Sequence, residues 1–186
     1  DPITGLTNCK GMGKLEDFKS FEDVLAAWDQ QLNYYMTLQV KADNINDYVN
    51  EKLVPDILCS SLVQDCIKRG KHLMEGGAVY DMMSGCQVGM ITVGNSLQAI
   101  RELVFEKKQI TAKQLQAAIA ENFESLEGKR IQALLKNGAK KFGNDDDEVD
   151  SLTKRAYEPY ATGIVKYKNT RYGRGPIGGH YIPATV

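Results

Sequence analysis

The chain has 186 residues, 42% of them hydrophobic and 25% charged, the balance of an ordinary globular unit of about one domain. Its 23 Lys and Arg against 24 Asp and Glu leave a formal charge of -1, too little to hold a phosphate backbone or an anionic bilayer, so nucleic acid and membranes are set aside as partners. No apolar run reaches the roughly 20 residues of a membrane span, and residues 1–13 lack a basic start with an apolar core, so the chain reads as cytoplasmic.

Residues 1–19 are rich in turn signals and read as irregular. Ser20 with Asp23 three positions on predicts a helix start. Val24, Leu25, Trp28, Leu32, Tyr35, Met36 and Val40 then recur at three and four residues, as on one face of a helix, and Ile45, Val49 and Leu53 prolong the stripe until Pro55 breaks it. Ile57, Leu58, Leu62, Val63, Cys66 and Ile67 predict a second helix closed by Gly70. After Gly76 and Gly77, residues 78–83 read as extended, and the β-rich run 88–93 reads as a buried strand. Gly94, Asn95 and Ser96 would form a tight turn into a helix carrying Leu97, Ile100, Leu103 and Val104, the strand-turn-helix step of an α/β protein. Thr111 predicts the cap of a helix with Leu115, Ala118, Ile119 and Phe123. Ile131, Leu134 and Leu135 predict another that ends before Gly138. Asn144 or Asp145 would cap a last helix with Val149, Leu152, Ala156 and Tyr160 inward, and residues 167–186 read as irregular chain leading to one strand.

Four features invite a chemical reading. Gly173-Arg-Gly175-Pro-Ile-Gly178 satisfies the dinucleotide pattern GxGxxG, but no clear strand precedes it, Pro176 removes a backbone donor and no helix follows, so it reads as a turn. The carboxylates of residues 145–150 lack the glycine and alternation of a calcium loop and suit the first turn of a helix. His72 and His180 lie far from any triad arrangement, and Cys9, Cys59, Cys66 and Cys86 contain no CxxC pair, so both sets read as non-catalytic, with reduced thiols and no metal. The strand end at Thr92, Val93 and Asn95 reads as a pocket-lining position, with plain capping by Asn95 or Ser96 as the alternative.

Several stretches in a fixed order resemble one family, the glycyl radical enzymes of the pyruvate formate-lyase and diol dehydratase type. They are Phe18-Lys-Ser-Phe-Glu-Asp-Val-Leu25, Ser61-Leu-Val-Gln-Asp-Cys-Ile-Lys-Arg-Gly70, Gly76-Gly-Ala-Val-Tyr80, Asn95-Ser-Leu-Gln-Ala-Ile100, Leu103-Val-Phe-Glu106, Ile110-Thr111, Asn122-Phe-Glu124 and Phe142-Gly-Asn-Asp-Asp-Asp-Glu-Val-Asp150. The resemblance implies an α/β fold: a mostly helical segment of a ten-stranded β/α barrel with one or a few of its strands. Residues 1–186 would be part of a single such domain, cut at both ends, lying between the catalytic cysteine loop and the C-terminal radical glycine loop. Neither loop's motif is present in the chain. Cys86 follows a glycine, but Val88 stands where the family often has glutamate, so no catalytic role is carried onto this chain.

For the parent enzyme the resemblance implies an organic glycyl radical, installed by an activating partner that uses an iron-sulfur cluster and S-adenosylmethionine, a small-molecule substrate, and self-association into a homo-oligomer. The Ser61 and Gly76 stretches look dehydratase-like, which favours cleavage of a C–O or C–N bond. The alternatives are a C–C lyase or acyltransferase of the formate acetyltransferase, decarboxylase or arylsuccinate synthase type, and a non-catalytic scaffold fragment. Within the resemblance Asn46, on the long helical stretch, and the Thr92, Val93 and Asn95 segment border the substrate pocket.

Overall fold

A computed structural model describes residues 3–7, 11–81, 84–167 and 178–182. The chain is mostly helical and divides into two compact units, Asp1–Gln31 with Met90–Ala156, and Leu32–Gly89 with Tyr157–Val186. Helix α1 (Phe21–Leu53) and helix α7 (Asp147–Ile164) each contribute to both.

In the first unit, α1 starts where Ser20 and Asp23 predict. The Asp23 carboxylate accepts from the backbone N–H of Ser20 and of Lys19, both at 2.9 Å, and those bonds hold its pKa below the usual carboxylate range. One turn on, the Trp28 indole N–H donates to the Ala156 carbonyl at 2.9 Å, and Arg155 forks onto both oxygens of Asp29, which ties the start of α1 to α7. The predicted strand over 88–93 is corrected: strand β1 is Ser84–Val88, and helix α4 is Met90–Ile100. Gly89, at φ 84°, makes the sharp exit from the strand that a side chain would disfavour. The β-branched run Ile91, Thr92 and Val93 is helical because tertiary packing of α4 outweighs a weak local preference. Gly94, expected in a turn, sits inside α4 and lets it approach Thr153 of α7.

A π-helical turn (Arg101–Glu106) follows α4 directly. Helix α5 (Ala112–Ala120) and helix α6 (Leu126–Asn137) then close a core of Ala99, Leu103, Ile110, Leu115, Ala118 and Ile131. Full burial of each larger aliphatic side chain stabilises the unit by about 1.5–3 kcal/mol before entropy is counted. Thr111 caps α5 as predicted: its hydroxyl accepts from Gln114 N–H at 3.1 Å, while Gln114 Oε1 accepts from Thr111 N–H at 2.8 Å. Thr111→Ala is expected to lower the stability of this unit by about 1 kcal/mol, read as a shifted denaturant midpoint with an unchanged slope. The cap of α7 is Asp146, whose carboxylate accepts from Glu148 N–H at 3.1 Å, rather than Asn144 or Asp145; Asp145 takes the left-handed φ 56° that brings the chain into the helix.

In the second unit, Met36 and Val40 of α1 pack with Tyr160 and Ile164 of α7. The predicted second helix is two short ones, α2 (Ile57–Leu62) and α3 (Cys66–Arg69), separated where Asp65 adopts φ 75°. Most of its apolar stripe faces outward. Ile57, Leu58, Leu62 and Ile67 are 68–79% exposed, and Cys66 is the member of the stripe that is buried. Strand β1 pairs in parallel with strand β2 (Gly178–Ile182), Ser84 opposite Gly178 and Val88 opposite Ile182. Parallel pairing needs a long crossover, which here comprises α4 to α7. Of the GxGxxG run, residues 173–177 lie outside the described residues and Gly178 opens β2.

Candidate functional site: a cavity bounded by helices α4, α5 and α6

The first unit contains a cavity of about 610 Å³, within the range of small-molecule sites. Thr92, Asn95, Ser96, Ala99 and Ile100 of α4 form one wall, Leu115 and Ile119 of α5 another, and Gln132 and Leu135 of α6 a third. Phe123 completes it from the turn after α5, where Asn122 and Phe123 both take left-handed backbone, φ 54° and 57°. That conformation is unusual for an aromatic residue, and the close approach of its backbone is accommodated by Gly128, where a Cβ would come within 2.9 Å of the Phe123 Cα.

Of the residues singled out in the sequence, Thr92 and Asn95 line this cavity, now from a helix rather than a strand end. Val93 is half-buried on the same helix and is not among the lining residues. Asn46 is exposed on α1 in the second unit. Asn95 also has a bracing task, its side-chain oxygen accepting from Phe142 N–H at 2.8 Å. The Ser96 hydroxyl donates back to the Thr92 carbonyl at 2.7 Å, so the polar rim on α4 is largely satisfied within the protein.

Two charged groups escaped the sequence reading. Glu102, in the π-helical turn, is 4% exposed at its side chain. Its carboxylate accepts from Gln98 Nε2 at 2.7 Å, Lys140 N–H at 3.0 Å and Lys107 Nζ at 2.5 Å. Burial pushes its pKa up, but these donors outweigh burial and hold it at about 2. Lys141 lines the cavity, and its ammonium donates to the carbonyls of Leu135 at 2.9 Å and Ala139 at 3.1 Å, capping the end of α6. Burial pushes its pKa below that of an ordinary lysine, with the Glu102 charge pulling the other way. In sequence, the polar i, i+4 pair Gln98 and Glu102 beside an apolar stripe was the available signal. Lys141 carried none.

Within the run 145–150, Asp146 and Glu148 serve ion pairs and capping: Lys140 Nζ reaches Asp146 at 3.0 Å and Glu148 at 2.6 Å, and Arg101 pairs with Glu148. Among the described residues no group of three or more His, Cys, Asp and Glu side chains is placed to hold a metal. Of the thiols, the Cys59 pKa is pushed up by a hydrogen bond to Asp56 and by that carboxylate's charge. Cys66 is enclosed, 2.7 Å from where a Cβ on Gly77 would lie. His72 is held to the Glu51 carbonyl through Nε2 at 3.0 Å. No described helix is long and apolar enough to cross a membrane.

The sequence profile described as pyruvate formate lyase-like matches residues 1–185. Over 169 residues the chain is 47% identical to a protein of Escherichia coli named probable dehydratase YbiW, a match that covers 91% of this chain and 21% of the relative. Among solved structures, a protein studied for 1,2-propanediol dehydration in Roseburia inulinivorans superposes with a TM-score of 0.73 at 36% identity, covering 97% of this chain and 23% of that one. The glycerol dehydratase of Clostridium butyricum in its glycerol-bound form gives 0.73 at 35%, covering 97% and 22%. The chain thus spans about a fifth of the length of the relatives it matches.

Proposed function

Because the chain belongs to the pyruvate formate lyase-like family, the glycyl radical enzymes, we propose that it forms part of a radical dehydratase that eliminates water from a small polyol or hydroxylated substrate. The observation that carries this reading is the 47% identity to a probable dehydratase, joined to two diol and glycerol dehydratase structures that match almost the whole chain. In the proposal residues 1–186 belong to a single ten-stranded barrel domain, in which β1 and β2 are neighbouring strands and the helices its outer layer. Asn46, Thr92, Val93 and Asn95 border the substrate pocket as positioning groups. The enclosing barrel serves the chemistry by keeping water and oxygen from a reactive centre.

When present, the glycyl radical and its relay cysteine supply hydrogen-atom abstraction. The thiols described here do not fit that relay, Cys66 being packed against the backbone around Gly77 and Cys59 tied to Asp56. No step of the radical chemistry is therefore assigned to a residue of this chain, whose contribution is framework and pocket wall. Installation of the radical falls to an activating enzyme with S-adenosylmethionine and an iron-sulfur cluster, the enzyme assembles as a homo-oligomer, and both partnerships belong to the cytoplasm.

The test is anaerobic activation of the full polypeptide that carries these residues, followed by electron paramagnetic resonance and turnover of 1,2-propanediol and glycerol. A glycyl doublet with an aldehyde formed by net loss of water is the expected result. A doublet with no dehydration of any hydroxylated substrate, or with acyl transfer to formate, would overturn the dehydratase reading.

A further inference from the structure

We propose that the cavity bounded by α4, α5 and α6, whose α4 wall shares Thr92 and Asn95 with the proposed substrate pocket, binds a small monocarboxylate with an apolar tail, the carboxylate meeting the Lys141 ammonium and the tail lying against Ala99, Ile100, Leu115, Ile119 and Phe123. The argument begins with what the lining lacks. An ammonium has three donors, and Lys141 commits two of them, to Leu135 and Ala139 carbonyls, with no carboxylate bonded to it. Glu102, the acid whose charge reaches it, is fully engaged by Gln98, Lys107 and Lys140. A half-buried cation with a spare N–H and no carboxylate in contact with it sits in a wall of mostly apolar side chains, which is the chemical complement of an amphiphilic acid.

The polar atoms elsewhere on the wall support a single head group. Asn95 Oδ1 and Ser96 Oγ are already bonded within the protein, whereas Gln132 has no hydrogen-bond partner among the described residues and offers a second donor. Lys136, exposed at the mouth, adds positive charge that favours entry of an anion. A neutral alcohol would leave the spare Lys141 N–H without an anionic partner. A cavity of about 610 Å³ is ample for a medium-chain acyl group.

Octanoate is the probe, titrated by calorimetry into the full polypeptide with 1-octanol as the uncharged comparison. Saturable octanoate binding is expected, weakened about tenfold or more by Lys141→Met, as for loss of a charge-assisted hydrogen bond, and largely restored by Lys141→Arg. Octanol binding should be indifferent to the charge at residue 141. Because Lys141 also caps α6, a second variant guards against a folding artefact: Ile119 is 58% exposed, so Ile119→Trp is tolerated by the core but fills the cavity, and it should abolish binding. The proposal is overturned if the unmodified protein takes up no octanoate, as when another part of the polypeptide occupies the cavity. Equal binding by Lys141→Met, or binding that survives Ile119→Trp, overturns it as well.

Discussion

Gly94→Ala is expected to loosen the first unit by about 3 kcal/mol, at the upper end of what overpacking a core costs. A Cβ on Gly94 would collide with the Thr153 hydroxyl and lie 2.8 Å from its Cβ and 2.9 Å from its Cγ2. The obstacle cannot swing aside cheaply. Thr153 is β-branched, 7% exposed, and its hydroxyl donates to the Val149 carbonyl at 2.8 Å, so both its rotamer and its hydrogen bond oppose the move. The helices would have to separate, and α7 at that level carries Val149, Leu152 and Ala156, which are buried at 0%, 6% and 0% exposure. Hydrogen exchange of the full polypeptide reads the effect locally: amides of α4 and of residues 147–156 should exchange about a hundredfold faster, with the second unit's amides less affected. Pairing the change with Thr153→Gly removes the obstructing atoms and should recover more than half of the loss. A single Gly94→Ala variant within about 0.5 kcal/mol of the parent would show that α4 and α7 do not approach as closely as the packing requires.

The same glycine shows where sequence reading ran out. Local signals with local partners were legible: Ser20 and Asp23 three residues apart, Thr111 and Gln114 likewise, and the inward face Val149, Leu152, Ala156 and Tyr160 all fold as their spacing predicts. The order of elements was legible too, down to a strand-turn-helix step, but the step lies earlier along the chain, because Gly89 rather than Gly94 makes the turn. Two glycines near a β-branched run look alike in sequence, and what separates them is Thr153, 59 residues on from Gly94. The second predicted helix failed for a related reason. Its stripe of Ile57, Leu58, Leu62 and Ile67 has the helical period but stays exposed in this chain, and the left-handed Asp65 divides it. Thr92 and Asn95, expected on a pocket wall from a turn next to a strand, line the cavity from inside a helix instead. Glu102 and Lys141 were missed because their environments are assembled from carbonyls and N–H groups that no residue type advertises.

Glu102 yields the second large effect and a pH signature. Truncation by Glu102→Ala leaves the Gln98 amide and the Lys140 N–H without their acceptor, next to a Gln98 oxygen that already lacks a partner among the described residues. Losing three hydrogen bonds to one buried carboxylate at once should destabilise the unit by about 3 kcal/mol. Glu102→Gln keeps an oxygen for Gln98 and Lys140 and loses mainly the contact to Lys107, whose side chain is 47% exposed and free to turn to water, so about 1 kcal/mol is expected. The folded-state pKa of about 2 lies below the carboxylate's ordinary 4.5, so protonation opposes the fold. The resulting stability is fully present above pH 4.5 and drains away as pH falls through 4.5 toward 2, about 2–3 kcal/mol in all once the exposure of Lys107 is allowed for. In urea titrations between pH 6 and pH 3, the parent should therefore lose more stability than Glu102→Gln, whose residue 102 cannot titrate. Parallel curves for the two proteins over that range would mean that the carboxylate is not held by Lys107, Gln98 and the Lys140 backbone, and with it would go the brace that keeps the 138–141 turn, and Lys141, at the edge of the cavity.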